Sequence, residues 1–252
     1  MIKAILFDIS GVLHEDQKPI AGAVESINQL QRTGIPLKFV TNSSRSTEAM
    51  ILLSLQKMGF AIKSSQVLTA PGAVKRFLQA QSLRPFCLIH HDLEAEFADL
   101  DQSNPNAVVI ADAAERFDYQ HLNAAFDLLL EGAPLIGIGR NRYFRSDGKL
   151  YLDAGPFIHA LEYAAGVKAD IMGKPSPTFF MTAVNAIGCK KEEVLMIGDD
   201  AEADVEAALK VGLQACLVQT GKYRQGDENT IKIPGATVVP SVVEAISIFL
   251  QQ

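Results

Sequence analysis

Ala4-Ile5-Leu6-Phe7-Asp8-Ile9-Ser10-Gly11-Val12-Leu13 is the stretch whose reading decides the fold. Residues 5–7 form a short apolar run that reads as a strand buried on both faces. The run ends abruptly in an acid, and Gly11 then permits a sharp turn or a close backbone approach. In open α/β sheets, ligands bind outside the carboxyl ends of the strands. Asp8 is therefore either a ligand-facing acid or a side chain that caps the next turn. The rest of the chain favours the first reading, because it repeats a buried run followed by a polar cluster.

Runs at 35–40, 67–68, 193–197 and 213–218 read as further strands. Apolar spacing suits helices over 21–32, 47–58, 202–210 and 241–250, and residues 172–177 open another that runs to about 187. A smaller version of the same texture lies between them. Strands are predicted over 86–89, 107–110 and 135–138, with helices over 92–100, 119–130 and 156–165. Residues 142–144 and 150–152, flanking Ser146-Asp147-Gly148, suit a hairpin. Strands alternating with helices imply a parallel sheet covered on both faces. The expected architecture is an α/β protein: a doubly wound, Rossmann-like core over 1–75 and 172–252, with a smaller α/β domain inserted over 76–171.

Composition removes several function classes. The net charge of −6, with no strongly basic block, argues against a nucleic-acid partner. No apolar run reaches membrane-spanning length, and no secretory leader pattern is present. Cys87, Cys189 and Cys216 are scattered and make no CxxC. Reduced thiols in a cytoplasmic protein are the expectation.

Four polar clusters follow or border the core strands: residues 8–10, 41–43, Lys174, and Asp199-Asp200. In a doubly wound sheet, adjacent strand ends converge at one edge. Asp8 and Asp199 would then share one hard divalent cation such as Mg²⁺. The cation would offset the repulsion between an anionic nucleophile and a phosphoryl group. A carboxylate can attack phosphorus to give an aspartyl-phosphate. Thr41 and Asn42 supply neutral donors, and Lys174 supplies positive charge for the equatorial oxygens. Each piece alone equally suits a turn or a helix cap. Their order and strand-end placement together are more specific.

Asp8-Ile9-Ser10-Gly11-Val12, Thr41-Asn42, Lys174 and Gly198-Asp199-Asp200 resemble the four motifs of the haloacid dehalogenase superfamily of phosphohydrolases. The likeness covers the whole chain, and the insertion resembles that superfamily's larger α/β cap. Residues 152–157 and 173–177 resemble a narrower branch acting on phosphoramidates and pyrophosphate. The resemblance implies that Asp8 is the nucleophile. It implies Mg²⁺ held by Asp8, the backbone carbonyl of Ser10, and Asp199, with Asp200 as a second acid ordering metal-bound water. It also implies a small phosphorylated substrate bound against Asp8, Ile9, Ser10, Thr41, Asn42 and Lys174. A homodimer is the further partner that the branch leaves open.

One departure matters. Most superfamily phosphatases carry a second aspartate two residues after the nucleophile, acting as general acid and base. Ser10 stands there in this chain, as in the narrower branch. A competing reading therefore keeps the phosphate site as a low-turnover binding or regulatory module. A phospho-accepting receiver domain is a third, disfavoured by the large insertion and the extra strands. Other residues are weaker. His90-His91-Asp92 is expected to be a solvated turn, since neighbours at a strand end point apart. His14 is expected at the surface. Arg140, Arg142 and Arg145 suit either an anionic ligand or a solvated hairpin face.

Overall fold

The computed structural model describes residues 1–146 and 149–250. The expected turn at Asp147-Gly148 and the side chain of Arg145 lie outside the described residues. The chain divides into two compact units: Met1–Thr41, Ala49–Leu68 and Lys174–Gln252 form one, and Asn42–Glu48 with Thr69–Gly173 form the other.

The first unit is built on a six-stranded sheet. Its order is Ala236–Val239, Gln214–Val218, Val194–Gly198, Ala4–Asp8, Leu37–Thr41, Val67–Thr69. Strand Ala4–Asp8 is buried along its whole length. It lies parallel to Val194–Gly198 on one side and to Leu37–Thr41 on the other. Its position follows from composition, because only a strand apolar on both faces can be sandwiched in this way. Phe7 stacks on Phe39 with ring centroids 5.5 Å apart, next to Ile27, Leu30 and Leu55 in one continuous core.

Register carries the function. Asp8 pairs with Val40, so Thr41 stands one residue beyond. Phe7 pairs with Ile197, which puts Asp199 one step past the Asp8 level. Gly198 pairs with Leu217, so the chain after Val218 leaves at the same edge. From Ala4–Asp8 the chain builds outward through Leu37–Thr41 to Val67–Thr69, then returns to Val194–Gly198 on the opposite flank. That reversal is the switch point at which open α/β sheets leave a crevice.

The second unit has a four-stranded sheet, ordered Asp170–Ile171, Leu135–Gly137, Ala107–Ile110, Pro85–Leu88, with parallel neighbours. Its core gathers Leu88, Val108, Ile110 and Leu135 from the strands with Leu129 and Ile158 from the helices Tyr119–Leu130 and Ala154–Ala165. Tyr143–Ser146 and Lys149–Leu152 pair antiparallel, as the hairpin pattern predicts.

The sequence-based boundary at residue 75 falls inside helix Ala70–Ala80. Thr69 caps this helix, its Oγ1 accepting from Gly72 N at 2.9 Å, with Pro71 in the first turn. The helix predicted over 202–210 is also altered. Ala201–Glu206 is a wider π-helical turn that continues into Ala207–Val211. Such widened turns cluster at functional sites. Here the turn accompanies a fully buried Asp204. Gly198 makes room for it: a Cβ at 198 would sit 2.3 Å from Asp204 Cβ.

Candidate active site

Asp8 ends the central strand and is buried. Lys174 Nζ donates to its Oδ1 at 2.5 Å. The same ammonium lies 2.6 Å from Asp204 Oδ1, so one buried cation sits between two buried carboxylates. Asp8, Asp199 and Asp204 each present a carboxylate oxygen within 4.8 Å of the others. Two of these three acids are those expected from the sequence; Asp204 is new.

Asp199 is held on one side only. Its Oδ2 accepts from Lys222 N at 2.7 Å. Its Oδ1 is buried and has no hydrogen-bond partner among the described residues. Two glycines with positive φ make the cradle. A Cβ at Gly11 would approach Asp199 Oδ2 to 2.0 Å, and one at Gly221 to 2.2 Å. An L side chain is disfavoured at these φ values and has no room at either position.

The segment Thr220-Gly221-Lys222 therefore belongs to the site, although its sequence carried no motif that pointed to it. Thr220 Oγ1 donates to Gly11 O at 2.5 Å. Gly221 N donates to Glu15 Oε1 at 2.8 Å. Glu15 lies on a small hairpin, His14–Glu15 against Lys18–Pro19, that follows the Gly11 turn. The only available signal was register, which sends residues after Val218 to this edge.

Electrostatics follow from burial. Burial raises the pKa of Asp8, against the opposing charge of Lys174, with Asp199 adding repulsion. Burial likewise raises Asp199, and it brings Asp204 up to about 6. For Lys174, burial works against the charge, but Asp204 and Asp8 outweigh it and hold the ammonium protonated. Three carboxylates within 4.8 Å of one another, two of them on one ammonium and the third with an orphaned oxygen, form a hard-oxygen donor set that fits a small divalent cation.

The other predicted residues are placed as follows. Ile9 is buried in the core, and its carbonyl accepts from Leu13 N at 2.9 Å. Ser10 has an exposed side chain and bridges to His14 through the backbone. Thr41 is buried at its strand end, and Asn42 is the first residue assigned to the second unit. Asp200 is engaged elsewhere: its Oδ1 accepts from Glu202 N at 3.1 Å and Ala203 N at 2.9 Å, capping the widened turn. Its carboxylate thus lies outside the three-acid cluster.

His14 is half-buried, with a pKa lowered chiefly by burial. The expectation that His90 and His91 diverge does not hold. Residues His91–Leu93 turn into a short 3-10 helix, and the two rings lie 4.2 Å apart, both against Asp92. Arg140 pairs with the buried Glu162, and Arg142 is exposed.

This fold and this strand-end cluster of acids with a buried lysine define a hydrolase of the phosphatase type. Residues 5–103 match the model of the haloacid dehalogenase-like hydrolase family, and residues 171–245 match that of a HAD-hydrolase-like family. The chain belongs to the haloacid dehalogenase-like hydrolases. It is 42% identical to the human phospholysine phosphohistidine inorganic pyrophosphate phosphatase over 256 residues, covering 99% of this chain and 95% of the relative. It is 41% identical to the human haloacid dehalogenase-like hydrolase domain-containing protein 2, covering 99% and 96%. Among solved structures, it resembles the 4-nitrophenylphosphatase of Thermotoga maritima with a TM-score of 0.86, 25% identity and coverage of 98% and 97%. NagD from E. coli K-12 gives 0.85 and 25%, covering 96% and 98%. No helix among the described residues is long and apolar enough to cross a membrane.

Proposed function

We propose that the protein hydrolyses a small phosphorylated compound, either a phosphoramidate such as phosphohistidine or phospholysine, or pyrophosphate, through an aspartyl-phosphate on Asp8. The observation that carries this reading is the buried Asp8–Lys174 pair beside the unpartnered Oδ1 of Asp199. Asp8, Asp199 and the Ser10 carbonyl would hold Mg²⁺, with Asp204 completing the charge balance around Lys174. The cation, when bound, supplies Lewis-acid stabilisation and keeps the carboxylates ionised.

An Asp8 carboxylate oxygen attacks phosphorus, the bond to the leaving group breaks, and the leaving atom takes the electron pair. Thr41 and Asn42 supply neutral donors to the phosphoryl oxygens, and Lys174 holds their charge. Water then attacks the acyl-phosphate, releasing phosphate and restoring Asp8.

Ser10 explains the substrate classes. A hydroxyl is a poor general acid at neutral pH, and general acid catalysis is typically worth ~10²–10⁴-fold. Phosphoramidates avoid this loss, because their nitrogen is protonated before the P–N bond breaks. Hydrogen diphosphate avoids it too, since the leaving phosphate already carries its proton. Simple alkyl phosphates release an alkoxide that must be protonated, and they are expected to be poor substrates. Ser10→Asp should raise turnover of alkyl phosphates more than that of phosphoramidates.

The test is acid-quenching of the protein during turnover of radiolabelled substrate with Mg²⁺. A hydroxylamine-labile phosphoprotein is expected in the wild type and not in Asp8→Asn, lost on chelation and restored by Mg²⁺. Turnover without such a species, or labelling that survives Asp8→Asn, would contradict the covalent route.

A further inference from the structure

We propose that Lys222 is a specificity residue of this site: its ammonium binds the leaving phosphate of a diphosphate substrate and gives no such help to a leaving group that departs neutral. The inference rests on the function proposed above and deepens it.

The site holds two lysines with opposite circumstances. Lys174 is buried and fixed between Asp8 and Asp204. Lys222 is anchored by its backbone, with N on Asp199 Oδ2 at 2.7 Å, while its side chain is 73% exposed. Its Nζ is 3.7 Å from Asp200 Oδ2, a loose contact with a carboxylate whose other oxygen already caps a helix. Such an exposed contact is worth little and is readily exchanged for another anion. The tether through Thr220 and Gly221 fixes the start of the side chain against Gly11 and Glu15. Lys222 is therefore an exposed cation on a fixed base, at the strand edge that carries Asp8 and Asp199.

Charge separates the two candidate substrate classes. When Asp8 attacks hydrogen diphosphate, the bond from phosphorus to the bridging oxygen breaks, and hydrogen phosphate leaves with the electron pair. One carboxylate and a trianion become an aspartyl-phosphate dianion and a phosphate dianion, so charge and protons balance. Negative charge grows on the leaving phosphate, where an ammonium binds it more strongly as the bond breaks. A phosphoramidate instead cleaves at a protonated nitrogen, which takes the electron pair and leaves neutral, so no negative charge develops for an ammonium to bind. Lys222 should thus help the first reaction and not the second.

The experiment compares kcat/KM for pyrophosphate and for phosphohistidine in the wild type, Lys222→Gln and Lys222→Arg, each with Mg²⁺. Inhibition by imidodiphosphate during turnover of p-nitrophenyl phosphate is measured on the same proteins. In Lys222→Gln, the ratio of pyrophosphate to phosphohistidine turnover should fall by about tenfold or more, the scale of one charge-assisted hydrogen bond. The inhibition constant of imidodiphosphate should rise by a similar factor, and Lys222→Arg should restore most of both. A wild type that cleaves pyrophosphate with a ratio unmoved in Lys222→Gln would overturn the role of Lys222 alone. A parallel loss on both substrates, unrescued by arginine, would mark a structural residue and overturn it equally. An Asp8-dependent phosphatase that neither cleaves pyrophosphate nor is inhibited by imidodiphosphate would remove this inference and the diphosphate half of the proposed function, leaving the aspartyl-phosphate chemistry standing.

Discussion

Both units of the chain are parallel sheets with helices, yet their buried acids are treated in opposite ways. In the inserted unit, the buried acids Asp112 and Glu162 meet arginines whose own side chains reach solvent. Asp112 takes Arg45 at 2.5 Å, and Glu162 takes Arg140, with Ala169 N as a further donor. In the core unit, Asp8, Asp199 and Asp204 crowd together with one ammonium between Asp8 and Asp204, and Asp199 keeps an oxygen without a partner among the described residues. Paired acids hold a fold together. Crowded acids repel one another and persist where a ligand is to complete the charge balance. The same architecture thus yields a scaffold in one unit and a reactive site in the other, and the difference lies in how the acids are partnered.

The largest expected effect separates these two kinds of acid. Asp8→Asn should lower kcat by a factor on the order of 10⁴ or more, as loss of a nucleophile does, with no fall in Tm. Glu162→Gln should do the reverse. It breaks a buried ion pair and should destabilise the inserted unit by about 1–3 kcal/mol, read as a lower denaturant midpoint. If Glu162→Gln abolished the chemistry of a protein that still folds, the contrast between the units would collapse.

A smaller effect distinguishes acids within the core. Asp204→Asn removes a member of the cluster, whereas Asp200→Asn weakens a cap and leaves the cluster intact. Mg²⁺ titration of activity should show a larger rise in half-saturating concentration for Asp204→Asn. Asp200→Asn should cost about 1 kcal/mol or less of stability, because asparagine also caps helices. The reverse ranking would mean that the acids are exchanged when metal binds.

Gly221→Ala is expected to have a smaller effect on activity than loss of a cluster acid, at a measurable cost in stability. A positive φ of 65° and a Cβ 2.2 Å from Asp199 Oδ2 leave alanine strained. A left-handed conformation alone costs about 1–2 kcal/mol. The expected reading is a loss of activity out of proportion to the fall in Tm, because the displaced group is the Asp199 carboxylate. Unchanged kcat/KM would show that this segment plays no part in positioning it.

The sequence made much of this legible, for identifiable reasons. The central strand was readable because burial on both faces leaves an uninterrupted apolar run. Helix 119–130 was readable from its pattern between two strands; its observed bounds are Tyr119–Leu130, and the structure adds Asp118 as its cap. Strand Ala236–Val239 was not readable. It lies at the sheet edge, half-exposed between Pro234 and Pro240, and carries no buried run. Asp204 was missed because a helical reading of 202–210 gave no reason to bury an acid, and the widened turn that accompanies its burial has no local motif. Lys222 was missed because its role depends on register between distant strands. Asp8 and Asp199 were found because each terminates an apolar strand, whereas the helix-capping geometry of Asp200 required coordinates.

The smallest effect probes whether the two units open independently. Each carries a thiol that can report on this: the half-buried Cys87 on the edge strand Pro85–Leu88, and the buried Cys216 on the interior strand Gln214–Val218. Burial raises both thiols to about 12. The thiolate is the reactive form, so at pH 8 each should react roughly a thousandfold more slowly than a thiol near 9. Alkylation then reports opening of the surrounding structure, which exposes the sulfur and returns its pKa to normal. An edge strand of four residues has a neighbour on one side only, whereas Gln214–Val218 is paired on both. In a Cys189→Ser background, iodoacetamide should therefore label Cys87 faster than Cys216 by a few-fold to about tenfold, followed by peptide mass spectrometry. Imidodiphosphate with Mg²⁺ should slow Cys216 and leave Cys87 little changed, because the ligand stabilises the unit that holds the acids. Equal slowing of both thiols would mean that the two units open as one cooperative body, and that the division between scaffold and site is chemical without being energetic.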